Sequence, residues 1–519
     1  VHEAVLARGG RIEAVGTSGE IRARAGDGAR IVDLEGAPML PGFIDAHGHF
    51  PGAGLDAWMV DVSSPPVGRI RTLTELLDAL RARAADTPAG EWVLGFGYDD
   101  TLLAERRHPT RIDLDAVSTE HPIWIHHVSY HLAAANGAAL GIAGIGRDTP
   151  NPEGGVIRRD PGNGEPTGVL EENAQLLVER HVPQPSALER IAILRRAIER
   201  YAAAGVTTAQ NGLAEPEHVA PLWWLSRVGF LPLRLVLWPK RELGLEILEG
   251  RFDAERYRSD RFRIGAVKLI ADGSIQGYTA YLTEPYHQPF QGDAAYRGYP
   301  TIPREELVEL VSRLHAAGLQ VAVHGNGDAA IDDILHALDE AQRRHPRDDP
   351  RLVVVHAQTA RDDQLETMKA LGATPSFFVA HAYYWGDRHR DVFLGPERAA
   401  RISPARSAAE RGLRFSIHSD TPVVPMDPLL SVWAAVNRET SGGRTLGEEQ
   451  RIDVERALRA VTIDAAWQMF LDADRGSIEP GKLADFVILD GDPRRDPAAI
   501  RSLAVLETIV GGRSVYRRR

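Results

Sequence analysis

Cysteine is absent from this chain of 519 residues. That excludes disulfides, thiolate metal sites and a cysteine nucleophile, so any metal must be held by histidine, carboxylate or a modified side chain. Lysine is scarce: of 60 basic residues only Lys240, Lys268, Lys369 and Lys482 are lysine, and the rest are arginine. A GC-rich genome explains such a bias, and each surviving lysine raises the question of whether arginine would fail there. Positive charge is not in excess. The net charge of −12 leaves no electrostatic footprint for nucleic acid. Long apolar runs are missing as well: none approaches the roughly 20 residues of a membrane span, and no signal peptide is visible. We therefore expect a cytoplasmic protein with neither nucleic-acid nor membrane partners. The sequence opens at Val1 in mid-pattern, and a preceding segment is expected. With 43% hydrophobic and 25% charged residues the composition is globular, and the length suits a large barrel plus a minor domain, or two to three domains.

What is present is a histidine pair closing an apolar segment, Met39-Leu-Pro-Gly-Phe-Ile-Asp45-Ala-His47-Gly-His49. In a strand, residues i and i+2 point to one side, so His47 and His49 would offer two imidazoles in one direction, a donor type that suits zinc, iron, copper and nickel. Two ordinary loop histidines after Pro-Gly would look the same in isolation. Downstream, however, a strand–helix rhythm repeats. Apolar strand candidates are Leu40–Ala46, Val206–Asn211, Leu233–Trp238, Gly265–Ile270, Gln320–His324, Leu352–His356, Ala373–Phe378 and Arg414–His418. Helical segments 304–317, 362–371 and 405–411 each run into a glycine (Gly318, Gly372, Gly412), as suits a left-handed helix end. Eight such units predict a parallel (β/α)8 barrel of TIM type with its active site at the C-terminal strand ends. Five of the strands end in a metal-ligand type: His47 and His49, Lys268 with Asp272 beyond it, His324, His356, and His418 with Asp420.

The flanks read as β structure: a hairpin over 5–16 with a Gly9-Gly10 turn, a short strand Ile31–Leu34, and strands at Asp485–Leu489 and within 508–516. We expect residues 1–39 and 474–519 to form one small sheet domain, a β-sandwich by the resemblance given next, and 40–473 the barrel. The interval of about 51–200 is too long for a loop and carries strand candidates Trp92–Gly97 and Pro122–Val128; we expect an inserted α/β subdomain there.

These motifs, namely Pro-Gly-Phe-Ile-Asp-Ala-His-Gly-His, Lys-Leu-Ile-Ala-Asp-Gly-Ser, His-Gly-Asn-Gly-Asp, Val-His-Ala-Gln, His-Ser-Asp-Thr-Pro-Val and Gly-Ser-Ile-Glu-Pro-Gly-Lys-Leu-Ala-Asp, resemble the amidohydrolase superfamily over nearly the whole chain. Within it the chain looks like the YtcJ-like group (amidohydrolase family 3) that includes N-substituted formamide deformylases. The resemblance implies metal ligands at His47, His49, His324, His356 and Asp420, and a bridging carboxylated lysine at Lys268. An ammonium beside divalent cations is electrostatically intolerable, whereas CO2 added to the neutral amine gives an anionic carbamate able to bridge two metals; guanidinium cannot do this. The competing reading of Lys268 is a structural ion-pair residue, which would leave a mononuclear site. Zinc is favoured by histidine-rich ligation, with manganese or iron as alternatives.

The implied chemistry is hydrolysis of a non-peptide C–N bond in an amide, formamide or cyclic amide, with Asp420 relaying the proton from water to the departing amine. A deaminase of the same superfamily is the nearest rival, and a non-catalytic metal-binding regulatory protein is the rival of another class. The segment ending in His131 and Asn136 resembles the family's Gly-His…Asn element, so His131 would orient or polarise the substrate carbonyl. Tyr98 and Asp99 resemble a pocket-facing turn, and His381 and Trp385 follow the seventh strand among aromatics suited to an apolar substituent. Asp272 and Asp328 would steady loops or imidazole tautomers. The partner is a small-molecule substrate; the substrate's identity and the oligomeric state, a homodimer among the options, stay open.

Overall fold

The computed structural model describes residues 2–519; Val1 lies outside them. Its centre is two arcs of parallel strands. The first runs Phe262–Ile264, Arg234–Pro239, Val206–Ala214, Phe43–Ile44, and the second Val267–Ile270, Val321–Gly325, Leu352–His356, Ala373–Phe377, Ser416–Ile417. Every pairing within them is parallel. A parallel bridge between Lys240 and Lys268 joins the arcs on one side. On the other, Asp420 N donates to His47 O at 3.2 Å and His49 N to Thr421 O at 2.7 Å. Strands covered on both faces must be apolar throughout, and Val353, Val354 and Val355 are all fully buried.

The helices follow the same logic. Asp328–Arg344 buries Ile331, Ile334, Leu335 and Leu338 at three- and four-residue spacing. It starts on Asp328 and ends on Arg343 and Arg344, the signs its dipole favours. Asp362–Leu371 stops at Gly372 with φ of 71°.

The first apolar segment is divided, not continuous. Met39–Pro41 pairs antiparallel with Phe486–Leu489, and only Phe43–Ile44 joins the central arc. The break is Gly42, packed so tightly that a Cβ there would come within 2.2 Å of Thr207. Between the first two central strands lies a mixed six-stranded sheet, in the order Val60–Asp61, Val93–Tyr98, Ile123–His127, Leu132–Ala135, Pro166–Glu172, Gly155–Arg159. At the termini, Ala4–Arg8 and Arg11–Gly16 form a hairpin, and Met39–Pro41, Phe486–Leu489, Val505–Val510 and Arg513–Arg517 form an antiparallel sheet. The two meet where Ile12 N donates to Lys482 O and Ala484 N to Gly10 O. The strand expected at Ile31–Leu34 does not form: those residues are irregular, with Ile31 66% exposed, because no neighbouring edge pairs with them. Among the described residues no helix is long and apolar enough to cross a membrane.

Candidate metal centre

The histidine pair does not reach its position by strand alternation. The strand ends at Ile44, and His47 and His49 lie in the turn that follows. Long-range hydrogen bonds shape that turn: Gly48 N donates to Gln210 Oε1 at 2.8 Å, and Gly212 N to Gly48 O at 2.7 Å. The imidazoles converge all the same, 5.2 Å apart edge to face. His47 is fully buried and stacks on Trp238 at 5.5 Å. Behind it Gly212 leaves no room, since a Cβ there would come 2.3 Å from His47 Cε1.

Around this pair the strand ends gather as the motifs suggested. Asp420 Oδ1 lies 3.4 Å from His47 Nε2 and 3.1 Å from His49 Nε2, and ligand atoms of the three residues all fall within 4.8 Å of one another. Lys268 Nζ is 3.1 Å from His47 Nε2, and His356 Nε2 is 3.0 Å from His324 Nδ1 and 3.9 Å from Asp420 Oδ2. His356 and Asp420 both have left-handed backbones, with φ of 71° and 52°. For non-glycine residues this strain costs on the order of 1–3 kcal/mol each and is a common mark of functional sites.

The electrostatics suit a cation. Burial pulls His47, His324 and His356 well below the usual imidazole range and His418 down to about 3, so these rings are neutral and carry free lone pairs. Burial also draws the Lys268 amine down to about 8. Asp420 Oδ1 is buried without a hydrogen-bond partner although two imidazole nitrogens stand beside it. Ligands in one zinc shell, with bonds of about 2.0–2.2 Å, sit roughly 3.0–3.4 Å apart, which is the spacing seen here. The donor set of imidazoles, one carboxylate and a buried amine fits one or two divalent cations.

His131 reaches the same place from the inserted sheet. Its ring centroid is 4.8 Å from that of His324, and its Nδ1 is 2.8 Å from Glu172 Oε2. Burial alone would lower its pKa, but the Glu172 charge and hydrogen bond carry it above the ordinary value. A cavity of about 1150 Å³ opens over the cluster, lined by His131, Glu172, Tyr130, His126, Trp58 and Leu222 among others. Tyr98, Asp99, His381 and Trp385 are not among its lining residues. All four are buried: Asp99 accepts from Trp385 Nε1 at 2.8 Å, His381 packs on Trp385 and on His389, and the Tyr98 hydroxyl contacts His108. The aromatics after the seventh strand turn into the core, not toward the cavity. Asp272 accepts from the backbone N–H groups of Tyr281, Asn326 and Gly327, and Asp328 from Thr283.

One contributor, Glu172, escaped the sequence reading. Glu172 carries no local motif and meets His131 only through the fold. His418 was visible two residues before Asp420, a spacing that shares a face. It lies 3.0 Å from His356 Nδ1 and 2.9 Å from Ser376 Oγ, which fixes the orientation of the His356 ring. His418→Ala is expected to weaken metal affinity about 10- to 100-fold, read by competitive chelator titration against the unaltered protein.

Comparison with known proteins gives the family. The amidohydrolase family model matches residues 30–516. N-substituted formamide deformylase from Arthrobacter pascens is 32% identical, covering 99% of this chain and 95% of that protein. The Bacillus subtilis protein YtcJ, assigned to the amidohydrolases, is 30% identical over 99% of this chain and 96% of its own length. A metal-dependent hydrolase of uncharacterised function from Pyrococcus horikoshii superposes with a TM-score of 0.73 at 26% identity, over 95% of each chain. The chain belongs to the amidohydrolase family and has its TIM-barrel-like α/β fold. It is a hydrolase acting on carbon–nitrogen bonds other than peptide bonds.

Proposed function

We propose that the protein hydrolyses a small amide, formamide or cyclic amide, with His47, His49, His324, His356, Asp420 and a carboxylated Lys268 holding one or two divalent cations, zinc favoured. The observation that carries this reading is the convergence of His47, His49 and Asp420, from segments some 370 residues apart in sequence, with their ligand atoms within 4.8 Å. Bound cations supply Lewis acidity, polarising a carbonyl and making water acidic near neutral pH. The chain supplies the rest. Asp420, in reach of the same space as both imidazoles of the pair, takes the proton of the attacking water and returns it to the departing nitrogen. His131, steadied by Glu172, faces the cavity and orients the substrate carbonyl through its free Nε2. The strained backbones at His356 and Asp420 hold both side chains ready before substrate arrives, which spares reorganisation in the transition state. The deformylase relative supports N-substituted formamides as the first compounds to try.

The same reading takes the two arcs as one closed (β/α)8 barrel, residues 1–39 with 474–519 as a small β-sandwich domain, and about 51–200 as an inserted subdomain. The cross-arc backbone hydrogen bonds and the pairing of Met39–Pro41 with Phe486–Leu489 support that division.

The test joins elemental analysis to a hydrolysis screen of N-substituted formamides, N-acyl amines and cyclic amides. Two metals per chain are expected at the cluster, with Lys268→Ala losing at least one of them together with activity. Full turnover after exhaustive chelation would end the proposal.

A further inference from the structure

A second cluster of metal-ligating side chains lies outside the cavity, at the ends of two strands of the inserted sheet. Asp99 and Asp100 follow Val93–Tyr98, His127 ends Ile123–His127, and His108 comes from the loop between them. Asp99, Asp100 and His127 offer ligand atoms within 4.8 Å of one another. His127 Nε2 lies 3.2 Å from Asp100 Oδ1, and His108 Nε2 lies 3.4 Å from Asp100 Oδ2. From this arrangement we propose that Asp99, Asp100, His108 and His127 form a structural binding site for a divalent, zinc-type cation, independent of the catalytic assignment.

Four features support it. First, His127 Nε2 and Asp100 Oδ1 are both buried and neither has a hydrogen-bond partner, although they are neighbours. His127 is fully buried, so an unanswered nitrogen there is costly. Second, the 3.2 and 3.4 Å spacings are those of ligands sharing a cation, roughly 3.0–3.4 Å for bonds near 2.1 Å. Third, the second nitrogen of each imidazole is held by the fold: His127 Nδ1 is 2.8 Å from Ser129 Oγ and accepts from Ser129 N at 3.2 Å, and His108 Nδ1 is 3.1 Å from the Tyr98 hydroxyl, so both rings have a fixed orientation. Burial holds His108 down at about 3, which leaves its ring neutral. Fourth, no guanidinium is paired directly with Asp100: Arg158 pairs with Glu171 and Arg388 stands 3.9 Å from Asp99, so both arginine charges act on Asp100 from further off than the two imidazoles.

The site's position suggests its role. Asp99 Oδ1 accepts from Thr101, and Oδ2 accepts from Trp385 in the segment after the strand Ala373–Phe377. Ser129 lines the cavity on one side and contacts His127 on the other. A cation there would pin the inserted sheet to the central fold one residue layer behind the cavity wall.

The full-length protein is loaded with zinc, freed of excess by gel filtration, and its zinc counted. His127→Gln is expected to hold one ion fewer per chain than the unaltered protein, and His47→Ala/His49→Ala to retain that ion. Equal zinc in His127→Gln and the unaltered protein would overturn the site. Crystals of the unaltered protein grown with zinc give a test that needs no variant to fold: an anomalous peak at the zinc edge is expected between His127 Nε2 and the Asp100 carboxylate, and a flat map there refutes the proposal.

Discussion

Asp420→Asn is expected to lower kcat/KM for an identified amide or formamide substrate by about 10²- to 10⁴-fold, the usual range for a removed proton relay. The substitution keeps the volume and one oxygen but deletes the negative charge beside His47 and His49. Metal content separates the two roles given to Asp420. If it acts chiefly in proton transfer, kcat falls while metal is retained and KM changes little. If it acts chiefly as a ligand, metal and activity fall together. His131→Asn gives the contrast: it leaves the cluster's own side chains in place and removes only the imidazole proposed to orient the substrate carbonyl, so its loss is expected in catalysis with metal unchanged. An Asp420→Asn enzyme that works at the normal rate with its metal in place would remove Asp420 from the chemistry.

Which residues converge was more legible in the sequence than the shape of the site they form. Apolar runs ending in His324, His356 and His418 were readable because a barrel strand is buried on both faces and presents polar residues where it emerges. Alternation could not say what the backbone does beyond that point. The His47–His49 turn is set by Gln210, which is 162 residues from its partner Gly48, and the left-handed backbones at His356 and Asp420 depend on packing from neighbouring strands. The division of the first strand at Gly42 is a close-approach effect, with Thr207 in the space of a side chain; a glycine in a sequence does not name what it touches. Ile31–Leu34 shows the opposite failure: four residues with strand character stay irregular because pairing, not propensity, makes a strand. Tyr98 and Asp99 were placed by analogy with a pocket-facing turn, and His381 and Trp385 by their position after the seventh strand; in the fold Trp385 bonds Asp99 and stacks near His381, while Tyr98 meets His108. Charge arithmetic could not find Glu172, whose effect on His131 exists only once two distant segments meet.

The largest stability effect is expected at Arg234 and Asp485. Arg234, the first residue of a central strand, donates through Nε and Nη2 to both oxygens of Asp485 at 2.6 and 2.9 Å, and their side chains are 4% and 5% exposed. Asp485 precedes the terminal strand Phe486–Leu489 and also accepts from Gly511 N at 2.7 Å. The pair thus fastens the terminal sheet to the central fold. Breaking such a buried pair leaves one charge without water or partner and costs about 3–5 kcal/mol. The two single variants should not be equal. Arg475 is buried nearby, and burial together with the Arg234 charge draws it down to about 10. Asp485→Ala leaves two buried guanidiniums facing each other with their shared counter-charge gone, whereas Arg234→Ala leaves Asp485 still near Arg475 and still bonded to Gly511 N. Asp485→Ala is therefore expected to be the more damaging, and Arg234→Met/Asp485→Leu to recover much of the loss because neither charge then remains buried. The first transition in guanidinium denaturation, followed by circular dichroism, measures all three. If Asp485→Ala unfolds at the same denaturant concentration as the unaltered protein, the pair does not fasten the two sheets.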